Sequence, residues 1–440
     1  MITNREALAT SPARELALRL AEAGLAAIET GPAMRQAVRL IEGKLTVEVE
    51  TAGVKAEKKS WPLAPAGRLL VVAIGKCAFD AALALEEILG DRLSDGVAVD
   101  VRETATCPTR KIRCFQGDHP FPTERNVSAT DEIFNLLRDL TEADTVIFAI
   151  SGGGSTLLCS PHNFLCADER QILERLFQTG ATIAEINLLR QHLSRARGGG
   201  LAAAAYPAQV ISLIFSDVPG DRLEFVASGP TVRSSGTLAE AAAVAERYQL
   251  AAAGFRPDFL SETPKDEKFF RRVSNLLLVS NQTALQAMRR AASEAGYLAE
   301  VASADLNGEA ATVGRRLAAE LAALPSRSAR FWGGETVVTL GGVSNESQGG
   351  RNQELALAAL EIIDESVLLL PLASDGWDNS PAAGAVCDII TKRRSAERGL
   401  APTEFLARHD AYHFFEQTGD LILTGRTGAN VSDLIIGLKN

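Results

Sequence analysis

The chain has 440 residues, of which 46% are hydrophobic and 23% charged, and its net charge is −10. This length exceeds what one hydrophobic core usually covers, so we expect two domains, and the composition excludes intrinsic disorder. No segment has the pattern of a signal peptide or a membrane span. The excess of acidic over basic residues, and the lack of a long basic tract, argue against a nucleic-acid or anionic-membrane partner. We therefore expect a small-molecule partner; the oligomeric state stays open.

The cysteines are scattered and include no C-x-x-C pair and no nearby pair of histidines. This pattern argues against a structural zinc site and against a disulfide framework. Free thiols in a cytoplasmic protein are the simpler interpretation. The six positions are Cys77, Cys107, Cys114, Cys159, Cys166 and Cys387.

Helical periodicity opens the chain, over residues 13–30 and 33–43, and residues 46–67 favour a hairpin or loop. Short β-branched runs then alternate with helical stretches, which predicts a parallel sheet covered on both faces. The predicted strands are 68–74, 97–101, 145–150 and 210–215, and the predicted helices are 77–89, 128–140 and 184 to about 205.

A second βα series follows a polar, proline-containing stretch at residues 255–268, which is typical of a crossing between domains. The series contains no sequence repeat of the first. Its predicted strands are 276–280, 335–340, 367–373 and 421–424, and its predicted helices are 282–295, 309–324 and 352–363.

Glycine-rich loops follow the predicted strands of the first series. Lys76 comes directly after strand 68–74, at a strand end where open α/β sheets bind ligands, and it is either a phosphate-neutralising cation or a solvated turn residue. The strand at 145–150 runs into three glycines, which let backbone N–H groups approach an anion and are rarely needed for a plain turn. This loop is Ser151, Gly152, Gly153, Gly154 and Ser155.

Further polar residues of this half have two readings each. His119, in a proline-rich turn, is either a ligand contact or, as we favour, a structural hydrogen-bonding residue. Arg195 and Arg197 precede three glycines and either bind phosphate or carboxylate oxygens or complement a helix end. Asp217 and Asp221 follow strand 210–215 and either coordinate Mg²⁺ or cap a helix.

The second half carries the most specific local signal, an arginine among glycines at a predicted helix start, where dipole, backbone donors and a fixed cation combine. Its residues are Gly349, Gly350, Arg351, Asn352, Gln353 and Glu354. Asp375 follows strand 367–373, and a Gly/Thr loop over 424–433 is predicted to lead into a helix. No Walker A loop is present in the sequence. A formal match to the dinucleotide fingerprint occurs at Gly198, Gly200 and Ala203, but it follows a predicted helix and not a strand, so we discount it.

Taken together these motifs resemble the glycerate 2-kinases of the MOFRL type, formerly often labelled hydroxypyruvate reductases. The resemblance runs from about Leu18 to Leu434. Its carriers are Gly75-Lys76, Gly117 to Pro122, Ser151 to Ser155, Leu193 to Ala202, Ser216 to Asp221, Ala227 to Thr231, Gly333 to Thr336, Gly349 to Leu357, Ala373 to Gly376 and Thr427 to Asn430.

The resemblance implies an α/β fold, with a Rossmann-like three-layer N-terminal domain that has a helical extension and a second, smaller α/β C-terminal domain. The expected ranges are 1–235 and 236–440, with the MOFRL region at about 330–437. It also implies phosphorylation of D-glycerate, or a close hydroxy acid, to 2-phosphoglycerate with ATP and Mg²⁺ in a cleft between the domains.

The family's active-site lysine and arginine fall on Lys76 and Arg351. Asp217 and Asp375 are expected to hold Mg²⁺ or to orient the attacking hydroxyl. The residues predicted to bind substrate or phosphate are Ser151, Gly152, Gly153, Gly154, Ser155, Arg195, Gly349, Gly350, Asn352 and Glu354.

The chain departs from the family pattern at Trp377-Asp378-Asn379-Ser380-Pro381, at Arg197, which replaces a frequent lysine, and at Arg426 in the last glycine loop. These departures affect the expected substrate more than the reaction type. The alternatives are an NAD(P)H-dependent hydroxypyruvate reductase, which would need a dinucleotide site, and a non-catalytic metabolite sensor.

Overall fold

The structure, a computed structural model, describes residues 2–49, 57–340 and 347–440. They form two compact units. We call residues 30–216 and 221–278 the central unit, and residues 1–29, 217–220 and 279–440 the terminal unit. These units differ from the expected ranges 1–235 and 236–440, because residues 1–29 group with the C-terminal part of the chain and residues 236–278 group with the N-terminal part.

The N-terminal helices α1 (Arg5–Leu8) and α2 (Pro12–Ala27) belong to the terminal unit. The buried Arg14 of α2 explains this, because it forms ion pairs of 2.7 Å with Asp388 and with Asp420. The expected helical extension therefore exists but packs with the C-terminal part of the chain.

The central unit begins with α3 (Thr30–Ala37) and a three-stranded antiparallel sheet of β1 (Val38–Ile41), β2 (Lys44–Val49) and β3 (Glu57–Pro62). The predicted hairpin over 46–67 is thus confirmed for β2 and β3, and its residues 50–56 lie outside the described residues. The predicted helix 33–43 ends earlier, where β1 begins.

A six-stranded sheet follows, in the spatial order β6-β5-β4-β7-β8-β9, and its first five strands are parallel. Helices α4 and α5 pack on this sheet, and α7, α8 and α10 form an apolar cluster of their own. The strands are β4 (Leu69–Ile74), β5 (Asp95–Asp100), β6 (Ile112–Gln116), β7 (Thr145–Ile150), β8 (Gln209–Phe215) and β9 (Val273–Val279). The helices are α4 (Ala78–Leu89), α5 (Glu124–Leu136), α6 (Gly154–Leu157), α7 (Cys166–Gln178), α8 (Ile183–Leu193), α9 (Gly200–Ala205) and α10 (Leu238–Arg247).

Strands β4 and β7 are buried along their whole length, as expected for parallel strands covered on both faces. They pair in register, so that Leu69 lies beside Thr145 and Ile74 beside Ile150. Because both strands end at the same level, the loops that follow them meet at one edge of the sheet. The predicted helix 184–205 is two helices, since the chain becomes extended at Ser194.

The terminal unit contains a second six-stranded sheet in the order β10-β11-β15-β12-β13-β14. Only β10 and β11 pair in parallel, and the other neighbours are antiparallel. The strands are β10 (Leu298–Leu306), β11 (Ser328–Gly334), β12 (Val367–Ala373), β13 (Gly384–Ala385), β14 (Leu421–Ile422) and β15 (Asp433–Lys439). The helices are α11 (Asn281–Glu294), α12 (Ala310–Ala322), α13 (Arg351–Ala359), α14 (Ile389–Glu397), α15 (Pro402–Ala407) and α16 (Ala411–Thr418).

Two predictions for this unit were wrong. The loop over 424–433 leads into the buried strand β15, which pairs with β11 and β12 on its two sides, and not into a helix. The strand expected at 335–340 lies earlier, at β11, because the apolar run Phe331-Trp332 supplies its buried residues. The Gly341-Gly342 pair lies outside the described residues.

The α/β fold class is confirmed by these two sheets. The expectation of free thiols is wrong for Cys107 and Cys114, which the structure joins in a disulfide across the turn before β6. The other four cysteines are free and buried. Among the described residues, no helix is long and apolar enough to cross a membrane.

Candidate functional site

The loops after β4 and β7 form the first cluster of predicted site residues. The Lys76 N–H donates to the Gly152 carbonyl oxygen at 2.9 Å, and the Ser151 N–H donates to the Ile74 carbonyl oxygen at 2.9 Å. The Ser151 hydroxyl donates to the same Ile74 oxygen and accepts from the Cys77 N–H, both at 3.3 Å. Ser151 therefore joins the two loops and is not a free ligand for an anion.

Glycine is required at position 153, where φ is +82° and a Cβ atom would lie 3.1 Å from Lys76 Cγ and 3.6 Å from His119 Cδ2. The lysine side chain thus crosses directly over the glycine loop. The N–H groups of Gly152 and Gly153 have no acceptor among the described residues, and neither does the Lys76 ammonium group. Two backbone donors and one cation are therefore available together to an anion.

His119 lies beside this lysine. Partial burial, together with the positive charges of Lys76 and Arg190, lowers the pKa of His119 to about 4. The imidazole is consequently neutral at neutral pH, so the charge of this cluster comes from the lysine and the arginine. Arg190 was not named in the sequence analysis, and for His119 the sequence analysis favoured a structural role over a ligand contact.

The remaining predicted residues of the central unit are engaged within it. Gly154 begins α6, and the Ser155 hydroxyl hydrogen-bonds with the Ser228 hydroxyl at 2.9 Å. The Arg195 guanidinium donates to the Ser160 hydroxyl at 2.9 Å and stacks 5.2 Å from the Phe134 ring centroid. Any ligand contact by these side chains requires them to give up or share present partners.

Arg351, the first residue of α13, lies in the second cluster, in the terminal unit. Its Nε donates to Asp433 Oδ2 at 2.5 Å, and its Nη2 donates to Glu335 Oε1 at 3.0 Å and to Asp433 Oδ1 at 3.1 Å. Burial acts to lower the pKa of Arg351, but the charges of Asp433 and Glu335 outweigh it and raise that pKa. The arginine is thus already held by two carboxylates.

The start of α13 is capped from within the protein by Asp378. Its Oδ1 accepts from the Asn352 N–H and side-chain amide, and its Oδ2 accepts from the Gln353 N–H at 2.9 Å. A Cβ atom on Gly350 would lie 2.2 Å from the Asp378 carbonyl oxygen, so only glycine permits this approach. Burial and the charge of Asp433 raise the pKa of Asp378 to about 7. These N–H groups are therefore occupied and not open to a phosphate.

A cavity of about 450 Å³ borders this cluster. Gly349, Gly350 and Arg351 line it together with Glu354, whose carboxylate contacts His409 Nδ1 at 3.0 Å. Burial raises the pKa of Glu354, and His409 opposes that shift. The half-exposed Trp377 forms another wall.

Two of the departures from the family pattern meet at this wall, because the Arg426 guanidinium lies 4.5 Å from the Trp377 ring centroid. Such a cation–π pair links residues that the family pattern places in separate motifs. These two departures therefore lie together beside the cavity, whereas the departure at Arg197 lies in the central unit, where it pairs with Glu169.

The predicted metal ligands lie near Arg351. The charge of Asp217 contributes to a raised pKa of Glu335, after burial and Asp433, and the Asp375 carboxylate accepts from the Trp377 N–H at 3.0 Å. Within the described ranges, no three or more His, Cys, Asp or Glu side chains are grouped to hold a metal ion. The assignment of Asp217 and Asp375 to Mg²⁺ stays a prediction.

Sequence reasoning missed Glu335, Asp433 and His409 as site residues. Glu335 follows the two glycines that end β11, and Asp433 begins β15. Glu335 and Asp433 could have been found from the pairing of β11 with β15, because this antiparallel pairing aligns Gly334 with Asp433.

Known protein families match segments in both halves of the chain. Residues 16–256 match a domain of unknown function, DUF4147, and residues 328–433 match the MOFRL family. A "D-glycerate 2-kinase" from Thermotoga maritima is 35% identical over 90% of this chain and 98% of its own. A relative from Agrobacterium vitis with the provisional name hydroxypyruvate reductase is 36% identical over 85% of this chain and 87% of its own.

A solved structure gives the same assignment. The crystal structure of glycerate kinase from Thermotoga maritima matches with a TM-score of 0.83 and 32% identity, covering 97% of this chain and 99% of that one. The chain therefore belongs to the MOFRL-type glycerate kinase family.

Proposed function

We propose that this protein phosphorylates D-glycerate at its 2-hydroxyl with ATP, forming 2-phosphoglycerate. The observation that carries the proposal is the Lys76 cluster, where a cation and two backbone N–H groups without acceptors among the described residues stand together. Full-length similarity to glycerate kinases supplies the substrate class.

Both substrates are anions, and phosphoryl transfer depends on positioning and charge neutralisation more than on covalent help from the protein. In the proposed mechanism the Lys76 ammonium and the N–H groups of Gly152 and Gly153 bind anionic oxygens. Arg351 is held rigidly by Asp433 and Glu335, and this pairing fixes its remaining donors for a substrate.

Mg²⁺ would supply further charge neutralisation on the phosphates of ATP. Asp217 and Asp375 are proposed as its protein contacts. The described residues do not form a complete ligand group, and no step is assigned to a protein-bound metal.

The deciding assay couples ATP and D-glycerate to enolase without a phosphoglycerate mutase. We expect an immediate signal, because 2-phosphoglycerate is the direct substrate of enolase. A signal that requires the mutase would show phosphorylation at the 3-hydroxyl and contradict the proposal.

Variants test the two cations. Lys76→Ala should lower kcat/KM by about 100-fold, the usual loss for one group that stabilises transition-state charge. Arg351→Ala should lower it as well, whereas Lys58→Ala, on the exposed strand β3, should leave it unchanged. If both site variants retained kcat/KM within a few-fold of the wild type, the assignment would be wrong.

The name of the Agrobacterium vitis relative favours a second candidate, NAD(P)H-dependent reduction of hydroxypyruvate. The only glycine match to a dinucleotide fingerprint that we found in the sequence, at residues 198–203, follows helix α8 and not a strand. Measuring NADH consumption with hydroxypyruvate against ADP formation with D-glycerate distinguishes the two activities.

A further inference from the structure

Arg190, in helix α8 of the central unit, is a largely buried cation with no counter-charge of its own. Its Nε is enclosed without a hydrogen-bond acceptor, and no hydrogen bond or ion pair joins its guanidinium to any residue of the described part of the chain. A buried charge without a partner is unfavourable, so such a residue indicates an anion that comes from outside the chain.

The nearest acidic residue does not serve Arg190. Glu169 is fully buried and pairs with Arg197 at 2.7 Å, and the Arg197 guanidinium also donates to the Arg190 carbonyl oxygen at 3.2 Å. The Glu169 carboxylate is thus engaged by Arg197 and forms no ion pair with Arg190. Burial and the charge of Arg197 lower the pKa of Arg190 to about 10, and Glu169 only opposes this shift.

The charge of Arg190 acts on the same histidine as the charge of Lys76. Both cations contribute to the lowered pKa of His119, and a Cβ on Gly153 would touch both the lysine and the histidine. Lys76, His119 and the two N–H groups without acceptors thus stand together at the glycine loop, and the charge of Arg190 acts on the same imidazole. In the terminal unit, by contrast, Arg351 is balanced by two carboxylates.

We propose that Arg190 and Lys76 together bind one anionic oxygen group of a substrate. The group is either a carboxylate, as in the acceptor, or a phosphate, as in the nucleotide. The assignment of this group to the acceptor or to the nucleotide rests on the proposed function. The inference that Arg190 binds an anion does not rest on it. Arg190 supplies a planar fork of donors and Lys76 a mobile charge, a combination suited to either group.

The binding test uses the full-length protein and its Arg190→Gln, Arg190→Lys and Arg271→Gln variants, the last a control at an exposed position. Melting temperatures are measured alone, with inorganic phosphate and with D-glycerate. We expect at least one anion to stabilise the wild type and the control, less than half of that shift in Arg190→Gln, and partial recovery in Arg190→Lys. Because an unpaired buried charge is removed, Arg190→Gln without ligand should be at least as stable as the wild type.

A structural role would give the opposite pattern. A ligand-free Arg190→Gln less stable than the wild type, an unchanged anion shift, or no anion shift in the wild type would each overturn the inference. These results need no turnover, so they stand apart from any failure of the kinase assay.

Kinetics then identify the source of the anion. In Arg190→Gln, a rise of about tenfold or more in KM for D-glycerate alone indicates the carboxylate, and the same rise in KM for ATP alone indicates the phosphate. A rise in both KM values indicates that the anionic group lies where the two substrates meet. Unchanged kcat/KM for both substrates would overturn the inference.

Discussion

Replacing Gly153 by alanine tests the geometry of the lysine loop without removing any functional group. Gly153 has φ of +82°, and the added Cβ would lie 3.1 Å from Lys76 Cγ and 3.4 Å from Cε. Gly254 offers a matched control in the same unit, because its φ is +81° and the nearest atom to its Cβ is Gln171 Oε1 at 3.8 Å.

The substitution has two effects, a loss of unfolding free energy and a loss of kcat/KM, and each can be estimated on its own. Alanine in the left-handed region costs about 1–2 kcal/mol of unfolding free energy, and this loss should be the same at both positions. At position 153 the lysine side chain must also move by a few tenths of an ångström. Since a misplacement of about 1 Å costs about 100-fold in rate, this smaller shift should lower kcat/KM about tenfold, or about 1.4 kcal/mol of transition-state stabilisation.

The assay combines urea unfolding with initial rates of ADP formation from ATP and D-glycerate. We expect equal stability losses in Gly153→Ala and Gly254→Ala, with kcat/KM reduced only in the first. Equal activity in the two variants would refute the claim that Lys76 crosses the glycine loop. A reduced activity in Gly254→Ala would show that lost stability alone explains the effect.

Other predictions concern stability and occupancy. Arg14→Met should lower the unfolding free energy by about 3–5 kcal/mol, because it leaves the buried Asp388 and Asp420 without their cation, and a loss below about 1 kcal/mol in urea unfolding would contradict this. Burial lowers the pKa of His192 from 6.5 to about 4. The unfolded chain therefore takes up the proton first as the pH falls, and stability should decrease by about 2 kcal/mol between pH 7 and pH 5, a decrease that His192→Phe should abolish. Trp377 lines the cavity of the terminal unit, so a ligand that enters this cavity should change the tryptophan emission in a titration with ADP or D-glycerate. The same change in Trp377→Phe would show that Trp61 or Trp332 reports the ligand and would contradict the prediction.

The sequence predicted β4 and β7 well because both are continuous apolar runs that lead into glycine loops. Their parallel, in-register pairing then brings Lys76 to the glycine loop without further information. Sequence reasoning missed β6, and it placed the strand at 276–280 in the second series, whereas β9 is the edge strand of the first sheet. The terminal unit was harder to predict, since its strand β15 follows a glycine loop that resembles those before helices. Its apolar run is short and depends on two flanking strands from earlier in the chain.

The partners of the predicted residues could not be read from the sequence. The pairing of Arg351 with Asp433 joins positions 82 residues apart, and only the position of β15 brings them together. Arg190 gave no signal because a buried arginine is recognised by what surrounds it. The sequence pattern pointed instead to Arg195 and Arg197 as candidate anion-binding residues, and both have partners in the structure.

The position of β15 between β11 and β12 has a consequence for synthesis of the chain. In the sheet, each of those two strands is hydrogen-bonded to residues 433–439, which lie between them, and Arg14 reaches its partner Asp420 across 406 residues. Contacts this distant in sequence form slowly and only once both segments exist. The terminal unit therefore completes its sheet after ribosomal synthesis has passed residue 439, whereas every described strand of the central unit has been synthesised once residue 279 is added. Until then one edge each of β11 and β12 lacks its partner, and a nascent chain stalled before residue 433 would carry two open strand edges that chaperones and other chains can bind.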